Sequence, residues 1–257
     1  MENSVIKFDK VSKSYYLSRF KYGRLTEEIR AWFKKVVTLS PESNSKQKLW
    51  AVRNLSFQVK KGVTLGIIGK NGAGKSTILK LISKVTYPDS GQIRVEGEIG
   101  AFIELGAGLH PELTGRENIY LYGAILGMKR REIDERFPEI VKFSELARFL
   151  DTPIKRYSSG MYTRLGFSVI AFTDPQVLLI DEVLAVGDKS FQEKCLMKME
   201  EFAKSDKTVV FVSHNLEAIR SICSETILID HGRLKARGKS SEVIKKYLNK
   251  YSKNSKF

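Results

Sequence analysis

The segment GKNGAGKST, from Gly69 to Thr77, constrains the fold of this 257-residue chain more than any other stretch. It matches the pattern G-x-x-x-x-G-K-[S/T], and it stands between an apolar run that predicts a buried strand and a run that predicts a helix. Glycines allow such a loop to curl its backbone N–H groups around phosphate oxygens, with the helix N-terminus behind them. The predicted phosphate-binding loop consists of Gly69, Lys70, Asn71, Gly72, Ala73, Gly74, Lys75, Ser76 and Thr77.

Two side chains of this loop have the chemistry to bind a nucleoside triphosphate and its metal ion. Lys75 carries a flexible point charge that reaches the phosphates, and Ser76 offers a hydroxyl ligand to Mg²⁺. A glycine-rich turn that fitted the pattern by chance would need neither the strand before it nor the helix after it. ATP and Mg²⁺ are therefore the expected cofactors.

The rest of the chain alternates predicted strands with predicted helices. This order is typical of an α/β fold with a mainly parallel, doubly wound sheet. Two alternating segments, one near the N-terminus and one just before the loop, predict an additional β region there. Between Leu113 and Leu150 the pattern becomes helical and charged, which indicates an inserted helical subdomain. Further helices are predicted over residues 160–172, 189–204 and 215–223.

A second group of polar residues follows the predicted strands. The apolar run Val177–Ile180 ends at Asp181 and Glu182, and a later strand ends just before His214. Parallel strands bring their carboxyl ends to one edge of the sheet, where such sheets bind ligands. Asp181 would hold Mg²⁺, Glu182 would face an attacking water, and His214 would face the γ-phosphate. The ordinary alternatives are an acidic strand end and a structural histidine.

Composition limits the partners. The apolar runs are of strand length, far below the ~20 residues of a membrane-spanning helix. Lys and Arg number 44 against 29 acidic residues, and the net charge of +15 favours an anionic partner. Between Arg233 and Lys256 nine basic residues stand against one acidic residue, which fits a solvated helix and tail as well as an anion contact. Cys195 and Cys223 are interpreted as buried apolar residues.

The segment KRYSSGMYTR, Lys155–Arg164, has two interpretations. Its serines could simply cap a helix, or they could form half of a nucleotide site. The order of the motifs favours the nucleotide site. From VSKSY to about GKSSEV, this order resembles that of the ATP-binding-cassette (ABC) ATPase family. In that family a signature turn on one subunit covers ATP held by the phosphate loop of the other.

The resemblance implies roles for particular residues. Ser158, Ser159 and Gly160 would bind nucleotide in trans, within a homodimer. Tyr15 would stack on adenine, and Asp188 would lie in the loop that crosses to the partner subunit. The family's glutamine that senses Mg²⁺ is missing, and Glu104 is the nearest candidate for it. The expected fold is that of a P-loop NTPase with a mixed, mainly parallel sheet, an N-terminal antiparallel β region and an inserted helical subdomain.

Three further segments, YSSGMYTRLGFSV, ELGAGLHPELTGRENI and DEVLAVGD, are similar to the ATPase subunits of polysaccharide exporters. This similarity implies export of O-antigen, capsule or teichoic acid, with a transmembrane permease as partner. The expected location is the cytoplasmic face of the inner (plasma) membrane, with peripheral contact to its surface. Cassette ATPases that act on nucleic acid or ribosomes are the alternative, but no basic–aromatic interleaving suited to base stacking is found in the sequence.

The predicted organisation is a single ABC ATPase domain. Residues 1–105 and 173–240 would form the nucleotide-binding core, 106–172 the helical subdomain, and 241–257 a basic helix and tail, with no carbohydrate-binding domain after it. An insertion is expected at 17–49. Within it one apolar helical face either packs on the domain or lies at the membrane or permease; that face consists of Leu25, Ile29, Trp32 and Val36.

Overall fold

A computed structural model describes residues 4–17, 47–102, 108–181 and 187–252 of the chain. Its strands are β1 (Ser4–Leu17), β2 (Gln47–Lys60), β3 (Thr64–Ile68), β4 (Ser90–Val95), β5 (Ile99–Phe102), β6 (Val177–Ile180), β7 (Thr208–Val212), β8 (Glu225–Asp230) and β9 (Arg233–Lys239). Its helices are α1 (Lys75–Ile82), α2 (Gly115–Ile125), α3 (Arg130–Ser144), α4 (Ser159–Ile170), α5 (Lys189–Lys204), α6 (Leu216–Ile222) and α7 (Ser240–Ser252).

The described strands form two sheets. A three-stranded antiparallel sheet has the order β2-β1-β4, and a six-stranded sheet has the order β5-β6-β7-β3-β8-β9. All neighbouring strands of the larger sheet are parallel except β8 and β9, which are antiparallel. The mixed, mainly parallel α/β fold and the N-terminal antiparallel region are therefore confirmed.

The central strands are buried because both faces of the larger sheet are covered. Along β7, Val209 and Phe211 point into one apolar cluster, while Val210 and Val212 point into the other. The first cluster contains residues of α2–α7, and the second contains residues of α1 and the antiparallel sheet. Burial of each such side chain stabilises the fold by about 1.5–3 kcal/mol, which explains the nearly continuous apolar runs of these strands.

Two strands were not expected from the sequence. β5 forms the edge of the larger sheet beside β6, and β9 forms the opposite edge. In β9 the sequence RLKARGK alternates exposed and half-buried positions, and Arg237 bonds to Glu225 at 2.8 Å. The prediction of a solvated helix from Arg233 onward was therefore wrong for β9. The segment does contain a helix, α7, where Lys250 pairs with Asp230 at 2.8 Å, and an anion contact there stays a prediction.

The predicted insertion at about 17–49 stays a prediction. β1 continues through Leu17 and β2 already begins at Gln47, because the antiparallel ladder extends beyond the apolar alternation, with Tyr15 opposite Leu49. Residues 18–46, including the proposed helical face, lie outside the described residues. The division of the domain into core and helical subdomain stays a prediction, with α2, α3 and α4 falling inside the expected 106–172.

Both cysteines lie in the cluster formed with the helices. Burial raises the pKa of the Cys195 and Cys223 thiols to about 12, so both stay protonated at neutral pH. Their interpretation as buried apolar residues is confirmed. Across the described ranges, no helix combines the length and the apolar character that crossing a bilayer requires.

Candidate nucleotide site

The phosphate loop begins directly at the end of β3, the central strand between β7 and β8. Gly74 has a φ of +103°, and a Cβ built on it would lie 2.1 Å from the carbonyl oxygen of Ala51. Only glycine fits there, because β2 presses on the loop from that side. A Cβ on Gly72, at φ +76°, would have no other atom within 4 Å, so Gly72 lies on the loop's open side.

Lys75 lies inside this loop. It is the first residue of α1, and only 7% of its surface is exposed. Its Nζ donates to the carbonyl oxygen of Gly69 at 2.9 Å and to that of Lys70 at 3.1 Å. Ser76, the next residue, is exposed. The loop therefore holds a buried cation and an accessible hydroxyl at the start of a helix, whose N-terminus favours anions.

The carboxyl ends of three adjacent parallel strands meet beside this loop. Asp181 follows β6, His214 comes two residues after the end of β7, and β7 lies between β6 and β3. The registers align Ile180 with Phe211 and Ile67 with Val212, so the three strand ends are level. The loop, Asp181 and His214 therefore lie side by side at the carboxyl ends of the parallel strands. Glu182 and Glu104 lie outside the described residues.

The backbone around His214 is fixed on both sides. Asn215 donates its N–H to the Ser213 hydroxyl at 3.0 Å. Its side-chain oxygen accepts from the N–H groups of Glu217 and Ala218, which makes Asn215 the N-cap of α6. The sequence VSHN thus combines a strand end and a helix start, and it presents an exposed His214 between them.

Ser158, Ser159 and Gly160, which we call the signature turn, lie at the N-terminus of α4. Ser158 is the N-cap, and its Oγ accepts from the N–H of Met161 at 3.2 Å. Ser158 and Ser159 are exposed, and the nearest atom to a Cβ on Gly160 would be Ser158 Oγ at 3.9 Å. The second half of α4, from Leu165 to Ile170, is buried in the core. The turn is thus a helix cap, and it is also an open surface at the end of a rigidly packed helix.

Tyr15 lies near the end of β1 with 40% of its surface exposed, and Lys13 Nζ lies 5.8 Å from its ring. The structure adds an exposed aromatic beside the phosphate loop that sequence reasoning missed. Trp50 is 37% exposed, its ring lies 4.2 Å from Lys48 Nζ, and it directly precedes the Ala51 that contacts the phosphate loop. Its proximity to the loop could not be anticipated, because it depends on how β2 packs against the loop in the folded chain.

Sequence reasoning also missed an ion-pair group behind the signature turn. Arg164 of α4 bonds to Glu145 Oε2 at 2.9 Å and also to Asp188. Asp188 is the N-cap of α5; the Ser190 hydroxyl, more than any other neighbour, lowers the pKa of its carboxyl. Lys194 likewise lowers the pKa of Glu145. Both carboxylates therefore stay ionised well below neutral pH.

Comparison with known proteins identifies the family. The ABC transporter family profile matches residues 52–185. An O-antigen export system ATP-binding protein (RfbB) of Klebsiella pneumoniae is 48% identical over 201 residues, covering 78% of this chain and 82% of that protein. A teichoic acids export ATP-binding protein (TagH) of Listeria innocua is 42% identical over 246 residues, which cover 96% of this chain and 70% of the Listeria protein.

Solved structures agree with this assignment at the level of the fold. The dimeric, post-hydrolysis ATP-binding cassette MJ0796 bound to ADP and Pi superimposes with a TM-score of 0.70 at 22% identity, covering 91% of this chain and 98% of that one. An ATP-binding subunit of an ABC transporter gives a TM-score of 0.73 at 21% identity, with 95% and 93% covered. The chain belongs to the ABC transporter family, as one of its ATPase cassettes.

Proposed function

We propose that this chain powers export of a lipid-linked polysaccharide, of the O-antigen, capsule or teichoic acid type, across the bacterial inner membrane. The chemical class of the cargo is inferred from the named export relatives and from the three segments that resemble polysaccharide exporters. Action on nucleic acid or ribosomes is not favoured, because the similar proteins named above are exporters.

One observation carries the catalytic part of the proposal. The buried Lys75, the exposed hydroxyl of Ser76 and the carboxylate of Asp181 belong to one sheet edge, at a helix N-terminus. A cation and backbone N–H groups suit triphosphate oxygens, while a hydroxyl and a carboxylate are the oxygen donors that Mg²⁺ prefers. The donor set therefore fits ATP with its metal ion.

The residues of this chain divide the work as follows. The loop from Gly69 to Thr77 binds the phosphates, with Lys75 neutralising charge on the oxygens. Ser76 and Asp181 would hold Mg²⁺, which when bound neutralises phosphate charge, with Glu104 a further candidate for sensing it. Glu182 orients or deprotonates the water, and His214 contacts the γ-phosphate. Tyr15 stacks on the adenine.

The second half of each site comes from a second copy of the chain. Ser158 and Gly160, with Ser159 between them, would approach the γ-phosphate bound by the partner's loop, so that two ATP molecules lie at one homodimer interface. The exposure of both serines and the open space beside Gly160 support this assignment. Closing excludes water from the sites, and this strengthens the electrostatic stabilisation of the transition state.

We further infer a transmembrane permease as the partner that uses this closing motion, through surfaces near Glu104 to Arg116. The chain would then act at the cytoplasmic face of the membrane, in peripheral contact with it. Its net charge of +15 favours attraction to anionic headgroups. The apolar helical face predicted within the 17–49 insertion would either pack on the domain or add to one of these two contacts.

ATP hydrolysis should be measured with the purified chain alone and with its co-expressed permease in lipid vesicles, while light scattering follows dimer formation. Glu182→Gln should abolish turnover and trap an ATP-bound dimer, because binding stays intact while water activation is lost. Glu193→Gln, on the exposed surface of α5, is the matched control. Wild-type turnover by Glu182→Gln, or hydrolysis by a strict monomer, would contradict the proposal.

A further inference from the structure

Four charged residues lie behind the signature turn and take no part in the mechanism above. Glu145 caps the C-terminus of α3, Arg164 lies in α4, and Asp188 and Lys194 lie at the N-cap of α5 and within it; we refer to these four residues as the 164 network. Arg164 Nη1 bonds to Glu145 Oε2 at 2.9 Å, Arg164 Nη2 bonds to Asp188, and Lys194 bonds to the second oxygen of Glu145. Two cations and two carboxylates thus form one neutral chain of ion pairs.

Arg164 is the centre of this network and is held from several sides. Its side chain is only 16% exposed, and its guanidinium lies 4.9 Å from the ring centroid of Phe191. A Cβ on Gly187 would lie 3.5 Å from its Nε. The planar guanidinium uses two separate nitrogens for two carboxylates, whereas a lysine at this place would have a single ammonium group for both.

The position of Arg164 connects the two parts of the proposed nucleotide site. On α4 it stands four residues after Gly160, so the two share one helix face. Its partner Asp188 is the N-cap of α5 and lies seven residues after Asp181, which follows β6. A single side chain therefore ties the helix that starts with the signature turn to the segment that follows the metal-binding strand.

Glu145 is held in an unfavourable backbone conformation within the same network. It caps the C-terminus of α3 with φ 60° and ψ 25°, a left-handed position where helices usually have glycine or asparagine. A longer side chain costs about 1 kcal/mol or more there. Its carboxylate bonds to both cations, Arg164 and Lys194. These ion pairs offset the cost of a side chain in the left-handed conformation.

We propose that Arg164 is a positioning residue that couples the two ATP sites of the dimer. When the signature turn of one chain closes on the partner's nucleotide, Arg164 carries the movement of α4 to Asp188 and so to the chain's own site. This inference rests on the split-site dimer proposed above. It assigns to Arg164 no contact with nucleotide, so binding of ATP to the phosphate loop should not depend on it.

The test compares kcat, KM for ATP, the Hill coefficient and the melting temperature in Arg164→Met, Arg164→Lys and Glu145→Asn. We expect Arg164→Met to lower kcat about tenfold and to bring the Hill coefficient toward about 1, with KM changed less than about twofold. Arg164→Lys should rescue kcat only in part. Glu145→Asn should lower kcat in the same direction while retaining the melting temperature, because asparagine tolerates the left-handed conformation.

Arg131→Met, which breaks an exposed pair with Glu135 on α3, is the matched control and should leave all four quantities unchanged. Wild-type kcat and Hill coefficient in Glu145→Asn and Arg164→Lys would overturn the inference, whether or not Arg164→Met folds. The proposed function fails differently, because the wild-type chain itself would then hydrolyse ATP without cooperativity or dimers. A cooperative wild type with equally cooperative network variants would refute the coupling role alone.

Discussion

The phosphate loop and the signature turn are both glycine-containing segments at helix N-termini, yet their surroundings differ. Gly74 has no room for a Cβ, since the Ala51 carbonyl oxygen would lie 2.1 Å away, whereas Gly160 has its nearest neighbour at 3.9 Å. Lys75 is buried, and Ser158 and Ser159 are exposed. The phosphate loop is packed against other parts of its own chain at Gly74. The signature turn is also a helix N-terminus, but it is exposed to solvent.

This difference indicates what each segment requires from the rest of the molecule. The phosphate loop is shaped by β2 and by the end of β3, so a change there acts on the fold as well as on ligand binding. The signature turn is capped locally by Ser158 Oγ, so a change there leaves the chain folded and acts on whatever approaches the turn. Substitutions at matched positions can test this contrast.

The largest effect is expected from Gly74→Ala. The new Cβ would collide with the Ala51 carbonyl oxygen, and alanine is strained at φ +103°. We expect a loss of about 3 kcal/mol in the free energy of unfolding, together with loss of ATP binding. Urea unfolding and nucleotide titration measure the two quantities. An unchanged unfolding midpoint would mean that β2 does not constrain the loop.

Gly160→Ala is the matched change in the open segment. The helix gains alanine in place of glycine, so stability should stay constant or rise by up to about 1 kcal/mol. Hydrolysis should nevertheless fall about a hundredfold, because a methyl group would keep the turn from approaching the partner's phosphates. The ATPase rate and the melting temperature are measured on one preparation. Full activity would show that nothing approaches Gly160 closely.

Ser158→Asn distinguishes capping from contact with the partner's nucleotide. Asparagine caps helices about as well as serine, so the melting temperature should stay within a few degrees. Activity should fall about tenfold if the serine hydroxyl contacts the γ-phosphate. Ser158→Ala provides the reference, since loss of the cap costs about 1 kcal/mol. Normal hydrolysis by Ser158→Asn would mean that Ser158 acts only as a helix cap.

The smallest effect concerns Asp89, which belongs to neither segment. Its carboxylate accepts from Ser14 N–H at 2.8 Å, from the Ser14 hydroxyl at 2.5 Å and from Lys13 Nζ at 3.1 Å. The Ser14 hydroxyl has the largest influence and lowers the pKa of Asp89 from its ordinary value of 3.8. A lowered pKa in the folded state gives stability that is present above 3.8 and lost as the pH falls further.

Wild type and Asp89→Asn should therefore differ most in free energy of unfolding near neutral pH and converge at acidic pH. Urea unfolding across that range measures the difference, and subtracting the variant removes the contribution of other carboxylates. A difference that stays constant with pH would mean that the bonds to Ser14 do not favour the charged form. The contrast between the two glycine segments would remain unaffected.

Much of the fold could be predicted from the sequence. The buried runs before the loop, before Asp181 and before His214 are the central strands β3, β6 and β7, and the helix predicted over 189–204 is α5. Fully buried strands appear as short continuous apolar runs, because both of their faces are covered, and packed helices appear as periodic patterns, because one face is buried. The edge strands β5 and β9 escaped prediction because an edge is only partly buried and its pattern is correspondingly weak.

The candidate site divides in the same way. The phosphate loop could be predicted because its glycines and lysine follow a motif of fixed spacing, and the residues after the strands because the carboxyl ends of parallel strands meet at one edge of the sheet. Trp50 beside the phosphate loop, and Glu145 and Arg164 of the 164 network, were missed. Each is brought to its place only by contacts between residues that are separated in the chain. Arg164, for example, meets Asp188 from 24 positions away and Glu145 from 19.

The sequence by itself determined the family, the parallel arrangement of the central strands and the identity of the phosphate loop. The family follows from the resemblance of the motifs and their order. The strand arrangement and the loop follow from local requirements: apolar runs of strand length, glycine at positive φ, and a helix directly after a strand. Only the tertiary structure decided the strand order that places His214 between Asp181 and the loop, the enclosure of Gly74 by β2, and the openness of Gly160. These depend on which surfaces the folded chain buries against each other, and no local pattern of residues encodes that.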